Sequence, residues 1–412
     1  MIKGVRIGFN CRYFQWNYRC PAEAQNNFKI KMKKFFITTT IPSTLGFFKG
    51  NLRYLSEWFD VCAISSQPEN LRAVGEREGV RTYCIPMERP IALIKDFICL
   101  FKFIFFFLKE RPYVVHGNTP KASMLSMVSA WITRVPVRIY MCHGLRYQGT
   151  QGKMRKLLMW MEKLTCACAT EVICVSNGVR DTFAEDGICP KSKSILLGAG
   201  SATGLDVEFF NPDIVESNVM RTELGLSEDD FVFIFVGRIV GDKGVNEMVA
   251  AFSRLSEEYS HAHLVLIGNE ELEQNPITED SRNVIKYNRR IHAIGKRSDV
   301  RPYLKDADAF VFPSYREGFG MVLIEANAMG TPAISSNIIG CNEIIIEGEN
   351  GTLIPSKDDE LLYKKMKEWL LHTDDVKQMS CVCRNSIVER FDQTKIWKLY
   401  RDEYLRLINE RR

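Results

Sequence analysis

The sequence predicts an α/β protein of two doubly wound parallel-sheet domains that face each other across a cleft, and three observations support this. The chain has 412 residues, which is more than a single hydrophobic core usually supports. Short apolar runs alternate with longer amphipathic helical patterns, as is typical of parallel strands with covering helices. A glycine-rich connector at 196–212 interrupts this alternation, which then begins again.

The first domain is predicted from apolar runs that are each the length of one strand and are bounded by polar or turn-forming residues. These runs are 35–40, 60–65, 81–85, 113–116, 137–141, 172–175 and 194–197. Helical patterns lie between most of them, for example at 121–134 and 152–167. This order favours a parallel sheet, because strands joined by crossover helices run in the same direction.

The connector imitates a dinucleotide-binding fingerprint at 198–204, but no crossover helix follows it, so the stretch is interpreted as a linker. The second domain repeats the strand pattern, and the chain closes with helical patterns. Its strands are predicted at 231–236, 263–268, 291–295, 309–312 and 332–335, and its helices at 321–329, 358–372, 374–390 and 394–410. The expected boundaries are therefore 32–205 and 206–390, with a last helical segment, 391–412, that could pack back on the first domain.

The composition is that of an ordinary globular protein, with 46% hydrophobic and 25% charged residues, and it excludes a disordered or fibrous chain. The net charge of +5 is concentrated at the start, because residues 1–34 hold eight Lys or Arg and one acid. Such a short basic leader does not indicate a nucleic acid partner. Residues 1–31 are expected to be a basic, poorly structured arm or the product of an over-long translation start.

Cysteine usage and the absence of metal motifs point to a cytosolic protein without a bound metal. The thirteen cysteines include no CxxC pair, which suggests reduced thiols rather than a disulfide framework. No signal peptide is visible at the start. The histidines and acids show no HExxH motif and no DxD pair in a plausible loop. No metal and no cofactor are therefore expected.

Residues 91–108 raise the question of a membrane contact, because they are very apolar but contain Lys95, Asp96 and Lys102. A spanning helix needs roughly 20 residues with few charges. Lys95, Lys102 and Lys109 recur every seven residues and form a basic stripe on a helix, which suits the surface of an anionic bilayer. The alternative is a buried crossover helix whose lysines face solvent.

Two cations follow the strand predicted at 231–236. Arg238 and Lys243 lie five residues apart, beside Gly237 and Gly241, just before a helical pattern. Cations beside a helix N-terminus form an anion site, and this spacing suits a diphosphate. The alternative is a turn with solvated charges.

Two carboxylates, Glu317 and Glu325, lie on either side of a glycine loop and a helix start. Glu317 is expected at the mouth of the cleft, and the Phe319, Gly320 and Met321 amides at the helix N-terminus can face hydroxyl or phosphate oxygens. Glu325 lies one turn into the helix, where its carboxylate can accept two hydrogen bonds from a vicinal diol such as ribose. The alternative is that Glu317 is an acid at the helix start, where acids are favoured, and that Glu325 is an exposed helix residue.

Two histidines, His116 and His143, end neighbouring strands of the first domain, with Lys121 and Arg146 close to them in the sequence. Because ligands bind outside the carboxyl ends of such strands, these residues are predicted to form a polar wall facing the cleft. His116, Lys121 and Arg146 are the candidates for its acceptor side.

From about residue 33 to its end, the sequence resembles the retaining glycosyltransferases of family 4, which have the GT-B architecture of two Rossmann-like domains. The resemblance rests on VGRIVGDKG, LKDADAFVFPSYREGFG, EGFGMVLIEANAMGTPAISS and IIEGENGTLIP. The motifs TPKASMLSMVSAW, CHGLRYQG and GAGSATGLDVEFF look like those of enzymes that build capsular, O-antigen or exopolysaccharide units. Such enzymes typically extend a sugar on undecaprenyl diphosphate at the inner membrane.

The resemblance implies a role for each donor-side residue. Arg238 and Lys243 would hold the diphosphate of a UDP-sugar, and Glu325 would bind its ribose hydroxyls. Glu317 would contact the ring hydroxyls of the transferred sugar, and His143 would approach the same sugar.

Further positions follow from the same resemblance. Gly295 and Lys296 would lie near the base of the nucleotide. Gly46 takes the place of a glycine-rich loop near the diphosphate, although one glycine stands where many relatives have two.

The implied reaction is the metal-independent transfer of a hexose or an N-acetylhexosamine, with retention of configuration, to a lipid-linked saccharide. The implied partners are a nucleotide-sugar donor, that acceptor and the inner face of the cytoplasmic membrane. Two alternatives stay open: a GT-B-like UDP-HexNAc 2-epimerase, and a non-catalytic sugar-nucleotide-binding partner in an assembly complex.

Overall fold

A computed structural model describes residues 32–273 and 275–411, so the expectation for 1–31 lies outside the described residues. The first sheet has seven parallel strands in the order β3-β2-β1-β4-β5-β6-β7. They are β1 (Lys34–Thr38), β2 (Asp60–Ser65), β3 (Arg81–Cys84), β4 (Val114–Gly117), β5 (Val137–Cys142), β6 (Glu171–Cys174) and β7 (Ser194–Leu196). The central strands are almost continuously apolar and buried, as expected when helices cover both faces.

Helices and three 3₁₀ segments, Pro42–Phe48, Arg146–Gly149 and Lys191–Lys193, connect the strands of the first sheet. The 3₁₀ segment Pro42–Phe48 follows β1 after the short loop 39–41. The helices are α1 (Asn51–Ser56), α2 (Pro68–Glu78), α3 (Leu93–Glu110), α4 (Pro120–Ile132), α5 (Gly152–Cys168) and α6 (Asn177–Glu185).

The second sheet has six parallel strands in the order β10-β9-β8-β11-β12-β13. They are β8 (Phe231–Val236), β9 (Ala262–Ile267), β10 (Ile291–Ala293), β11 (Ala309–Phe312), β12 (Ala333–Ser336) and β13 (Gly351–Ile354). This order repeats that of the first six strands of the other sheet, and both are the Rossmann order. The predicted fold class is confirmed. The sequence prediction lacked β13, because a strand of four residues that starts with glycine carries little periodicity.

The helices of the second half cover this sheet and end the chain. They are α7 (Val219–Leu224), α8 (Val245–Glu258), α9 (Glu279–Tyr287), α10 (Arg301–Asp306), α11 (Met321–Ala328), α12 (Asp359–Leu371), α13 (Thr373–Phe391) and α14 (Gln393–Glu410). Within the described ranges, none of the helices is both long enough and apolar enough to cross a membrane.

The chain passes between the domains twice, and the two passages lie side by side. The Leu205 amide donates to the Phe391 carbonyl at 2.7 Å, and the Gln393 amide donates to the Leu205 carbonyl at 2.8 Å. Phe391 packs in the core of the second domain, whereas Tyr400 and Tyr404 of α14 pack in the core of the first. The last helix is therefore a structural part of the first domain.

Helix α3 contains residues 93–108 of the apolar run 91–108 and has two apolar faces. One face is buried against the first sheet, through residues such as Phe103 and Phe107. The other face exposes large side chains, among them Ile94, which is 80% exposed, and Phe105, which is 68% exposed. The helix thus crosses over the sheet and also presents an apolar surface to solvent, whereas its contact with a bilayer stays a prediction.

Tyr404→Ala is expected to lower the free energy of unfolding by about 3–5 kcal/mol, the usual cost of removing a buried aromatic ring. Tyr404 is 2% exposed, and its ring centroid lies 5.0 Å from that of Phe35 in β1. Urea denaturation followed by tryptophan fluorescence measures the effect. Leu399→Ala on the exposed face of the same helix is the control, and equal losses in the two variants would show that α14 does not stabilise the first domain.

Candidate active site

The carboxyl ends of the two sheets face each other, and the loops that follow the strands carry the candidate side chains. His143 follows β5 in the first domain, Arg238 follows β8 in the second, and Glu317 follows β11. Parallel sheets of this order bind ligands outside these strand ends. The topology thus brings residues that are far apart in the sequence to one cleft.

A cavity of about 320 Å³ is lined by side chains from both domains. The first domain contributes His143 and Arg146, and the second contributes Arg238, Lys243 and Glu317. Five of the predicted site residues therefore surround one space. Cations outnumber acids among them, so the cavity is suited to an anionic ligand.

Lys243 and Glu317 form an ion pair within this cavity. The Ser314 hydroxyl donates to Glu317 Oε1 at 2.9 Å, and the Lys243 ammonium lies 5.3 Å from the centroid of the Phe312 ring. The side chains of the pair are 18% and 15% exposed, so each charge is compensated by its partner as well as by water. These contacts hold both groups in defined positions at the floor of the cleft.

Arg238 also lines a second cavity, of about 370 Å³, which lies wholly in the second domain. Gly237, Asn269, Lys296 and Arg297 are among its other lining residues. The Arg238 guanidinium pairs with Glu271 at 2.9 Å. Because Arg238 borders both spaces, a single ligand that fills them must pass this cation.

The loop before α11 differs in part from the prediction. The Gly320 amide donates to the Gly340 carbonyl at 3.2 Å, and the Met321 amide donates to the Phe319 carbonyl at 3.0 Å. These two amides are therefore already paired inside the protein, which corrects the expectation that they face a ligand. The Phe319 ring packs edge-on against Phe391, with the ring centroids 5.5 Å apart.

Glu325 lies on α11 and is partly buried. Its side chain forms no hydrogen bond with any residue of the described ranges. Burial raises the pKa of this carboxyl to about 7, since a charged group loses hydration there without gaining a partner. The predicted contact of Glu325 with ribose stays a prediction.

A chain of polar contacts connects the two histidines through Asn118. The Asn118 amide nitrogen donates to His116 Nδ1 at 3.0 Å, and Asn118 Oδ1 lies 3.4 Å from His143 Nε2. Burial lowers the pKa of His143 to about 4 and that of His116 to about 3, with a smaller contribution from His143. Both rings are therefore neutral at pH 7.

The acceptor-side prediction needs correction for His116 and Lys121. His116 is fully buried, because β4 is a central strand covered on both faces. Lys121 is 5% exposed and pairs with Asp96 at 2.6 Å, so its charge faces the interior of the first domain. Of the three acceptor-side candidates, Arg146 lines the cleft.

Two glycines of the prediction lie beside the described cavities rather than in their walls. Gly46 is on the 3₁₀ segment Pro42–Phe48, where the neighbouring Phe47 ring stacks on His143 at 6.0 Å. Gly295 has a φ of 70°, and its carbonyl accepts a hydrogen bond from the Gly268 amide at 3.1 Å.

Several residues of the cleft were not predicted. Arg316 lines the 320 Å³ cavity and pairs with Asp242 at 3.0 Å. A Cβ atom on Gly318 would lie 1.9 Å from the His143 carbonyl oxygen, so the two backbones touch across the cleft. Arg316 and Gly318 are the two sequence neighbours of Glu317 in the motif YREGFG. Their position next to a predicted site residue was the sequence signal that could have identified them.

Glu343 is a third residue without a predicted role. It accepts hydrogen bonds from the Asn177 amide at 2.7 Å and the Gly178 amide at 2.8 Å, at the start of α6 in the other domain. A carboxylate at a helix N-terminus satisfies amides that the helix leaves unpaired. Glu343 and Gly318 therefore both join the domains next to the cleft.

Comparison with known proteins assigns the family. Residues 52–196 match the family model described as Glycosyltransferase Family 4, and residues 216–381 match Glycosyl transferases group 1. The capsular polysaccharide biosynthesis glycosyltransferase CapM of Staphylococcus aureus is 30% identical over 92% of this chain and 99% of its own length. The chain belongs to glycosyltransferase family 4.

Two more similarities agree with this assignment. An Escherichia coli UDP-Gal:alpha-D-GlcNAc-diphosphoundecaprenol alpha-1,3-galactosyltransferase is 29% identical over 86% of this chain and 90% of its own length. The crystal structure of Anabaena Alr3699/HepE in complex with UDP matches with a TM-score of 0.75 at 17% identity, covering 91% of this chain and 100% of that one. This family 4 glycosyltransferase therefore has the GT-B fold and is a transferase.

Glu325→Gln is expected to stabilise the ligand-free protein at pH 8 by roughly 1–3 kcal/mol, and by much less at pH 5. Burial raises the pKa of the folded carboxyl to about 7, above its unfolded value, so the folded state holds a proton that the unfolded state releases. The stability contributed by Glu325 therefore falls as the pH rises through this interval. Thermal unfolding at both pH values measures the difference.

The control for this prediction is Glu389→Gln, at an exposed position on α13. Its effect should be small at both pH values. A gain from Glu325→Gln of the same size at pH 5 and pH 8 would mean that packing, and not the buried charge, limits stability at this site.

Proposed function

We propose that this glycosyltransferase moves a hexose or an N-acetylhexosamine from a UDP-sugar to a saccharide carried on a polyprenyl diphosphate. The observation that supports this most directly is the position of Arg238 between the two cavities. A nucleotide sugar has the same three-part order, with a base and a ribose at one end, a diphosphate in the middle and a sugar at the other end.

In this arrangement the nucleoside occupies the 370 Å³ cavity near Lys296, and the diphosphate lies against Arg238 and Lys243. The transferred sugar then lies in the shared cavity, where Glu317 accepts hydrogen bonds from its ring hydroxyls. Neutral His143 serves as a hydrogen-bonding partner of the sugar rather than as a cation. Each assignment uses side chains that line the stated cavity.

The chemistry follows from charge development on the leaving group. When the bond to the anomeric carbon breaks, negative charge grows on the departing UDP, and Arg238 and Lys243 stabilise that charge. Their positions are set by ion pairs with Glu271 and Glu317, so little reorganisation is needed. In this proposal the anomeric configuration is retained and side-chain cations take the part that a metal ion has in other transferases.

The acceptor class is supported by similarity and by the surface of the first domain. The Escherichia coli relative is, by its name, an enzyme that acts on a diphosphoundecaprenol-linked sugar. Helices α3, α4 and α5 lie side by side and expose a broad apolar surface. Its large side chains are Leu93, Ile94, Phe97, Ile98, Phe101, Phe105, Leu108, Trp131, Ile132, Met154, Leu157 and Trp160.

This three-helix surface is the proposed contact with the inner face of the cytoplasmic membrane. Monomeric proteins rarely expose so many large apolar side chains on neighbouring helices without a partner. Aromatic side chains such as Trp131 and Trp160 favour the boundary between headgroups and acyl chains. The surface would hold the first domain at the bilayer, where a lipid-linked acceptor resides.

Lys243→Ala is expected to lower the rate of UDP release by about 10²–10³-fold, the usual cost of removing one well-placed charge-stabilising group. The assay combines a panel of UDP-sugars with a lipid-diphosphate-linked saccharide. Lys364→Ala, at an exposed position on α12 in an ion pair with Glu360, is the control and should keep the wild-type rate. Wild-type turnover in Lys243→Ala would exclude this residue from the diphosphate site.

Phe97→Glu combined with Phe105→Glu is expected to reduce binding to vesicles of phosphatidylethanolamine and phosphatidylglycerol by at least tenfold. Each substitution removes an apolar ring worth roughly 1.5–3 kcal/mol on burial and adds a charge that repels the anionic surface. Cosedimentation measures the bound fraction, and UDP binding checks the fold.

The control for vesicle binding is Leu361→Glu, at an exposed apolar position of the second domain. It should bind vesicles like the wild type. If the double variant also binds like the wild type, the three-helix surface is not the membrane contact.

A further inference from the structure

We propose that a groove in the first domain, distinct from the active-site cavities, binds the diphosphate of the lipid-linked acceptor. This inference rests on the proposed function and deepens it. The groove has a volume of about 1000 Å³ and is lined by Ile41 and Ser43 after β1, Ser66 after β2 and Met87 after β3. It shares none of its lining residues with the two cavities that meet at Arg238.

The charged side chains of the groove favour an anion. Arg89, Lys95 and Lys102 line it together with a single acid, Glu88, and that acid pairs with Lys95. Within the described residues, Arg89 and Lys102 form no ion pair. Lys95 and Lys102 lie two turns apart on the same side of α3, about 10 Å along its axis, and Arg89 is on the loop that faces them. Three cations around a space of this size suit a diphosphate.

A buried polar network fixes the cation-bearing wall. Lys121 donates to Asp96 of α3 at 2.6 Å and also to the Pro90 carbonyl. Asp96 accepts a second hydrogen bond, from the Ala92 amide at 3.0 Å. The Cys99 thiol donates to the Pro86 carbonyl at 3.2 Å. These contacts tie the loop that carries Arg89 to the helix that carries the lysines, so the groove is formed before a ligand arrives. Lys121 therefore has a structural role, because it joins this loop to α3.

The groove continues into the three-helix apolar surface. Ile98 lines the groove and is also 50% exposed, next to Ile94 and Phe97 on the outer face of α3. A diphosphate held by Arg89 and Lys102 would therefore have an apolar path for its lipid chain on one side. A soluble anion has no lipid chain to place on the apolar surface that adjoins the groove. The occupant that we propose is therefore a lipid diphosphate.

The saccharide end of the acceptor has an equally short path to the cleft. Ser43 lines the groove, whereas Phe47, on the same 3₁₀ segment, stacks on His143 of the active-site cavity. One segment, Pro42–Phe48, therefore separates the groove from the reaction centre. A sugar attached to a diphosphate in the groove reaches the donor sugar by crossing this segment.

The experiment measures binding of farnesyl diphosphate, below its micellar concentration, by calorimetry on the full-length protein saturated with UDP. UDP occupies the donor cations, so the signal comes from elsewhere. We expect wild-type binding and at least tenfold weaker binding by Arg89→Ala/Lys102→Ala, since two charged contacts to the diphosphate are lost. Farnesol and inorganic diphosphate should each bind more weakly than farnesyl diphosphate, because each lacks half of the ligand.

Lys109→Ala is the matched control, since this lysine lies on α3 but outside the groove, and it should bind like the wild type. UDP affinity checks the fold of every variant. Wild-type affinity in the double variant, or no binding by the wild type, would overturn the groove assignment. A double variant that loses binding only to phosphatidylglycerol vesicles would instead assign the cations to bilayer headgroups.

The outcome is separable from that of the proposed function. If the wild type transfers a sugar from a UDP-sugar but does not bind farnesyl diphosphate, the groove assignment is overturned and the proposed reaction is supported. If the groove binds farnesyl diphosphate but no donor gives transfer, the groove assignment is supported and the proposed reaction is contradicted.

Discussion

The close approach of two backbones at Gly318 is the constraint on which the active site depends. Gly318 lies so near the His143 carbonyl that no side chain fits between them, and the Ser176 hydroxyl donates to the Gly318 carbonyl at 2.9 Å. Glu343 holds the start of α6 from the other domain. These contacts set the separation of the two sheets. The shared cavity exists because this separation places His143 opposite Glu317.

Within the second domain, each cleft cation has a carboxylate partner. Lys243 pairs with Glu317, Arg238 with Glu271, and Arg316 with Asp242. The side chains of these pairs lose conformational freedom when the protein folds. They therefore lose little more when a ligand binds. The neutral His143 on the opposite wall adds polarity without further positive charge. Three of the four cations that line the shared cavity thus belong to the second domain, and Arg146 of the first domain is the fourth.

The first domain uses one helix for three purposes. One face of α3 packs on the sheet through Phe103 and Phe107, a second face exposes an apolar surface, and a third carries Lys95 and Lys102 along the groove. The buried Lys121–Asp96 pair holds the helix against its neighbouring loop. Burial of apolar surface alone does not determine which of two apolar faces of a helix packs on the sheet. The Lys121–Asp96 ion pair fixes this orientation for α3.

The sequence by itself determined the fold class, nearly all the strands and the charged motifs of the second domain, because these depend on local periodicity and on residue spacing. Only the tertiary structure decided which of these residues share a space. Burial of His116 and Lys121, pairing of the Gly320 and Met321 amides, and the contact at Gly318 all arise from neighbours distant in the chain. Local patterns encode the direction and polarity of each segment, whereas exposure and partners are set by packing between segments.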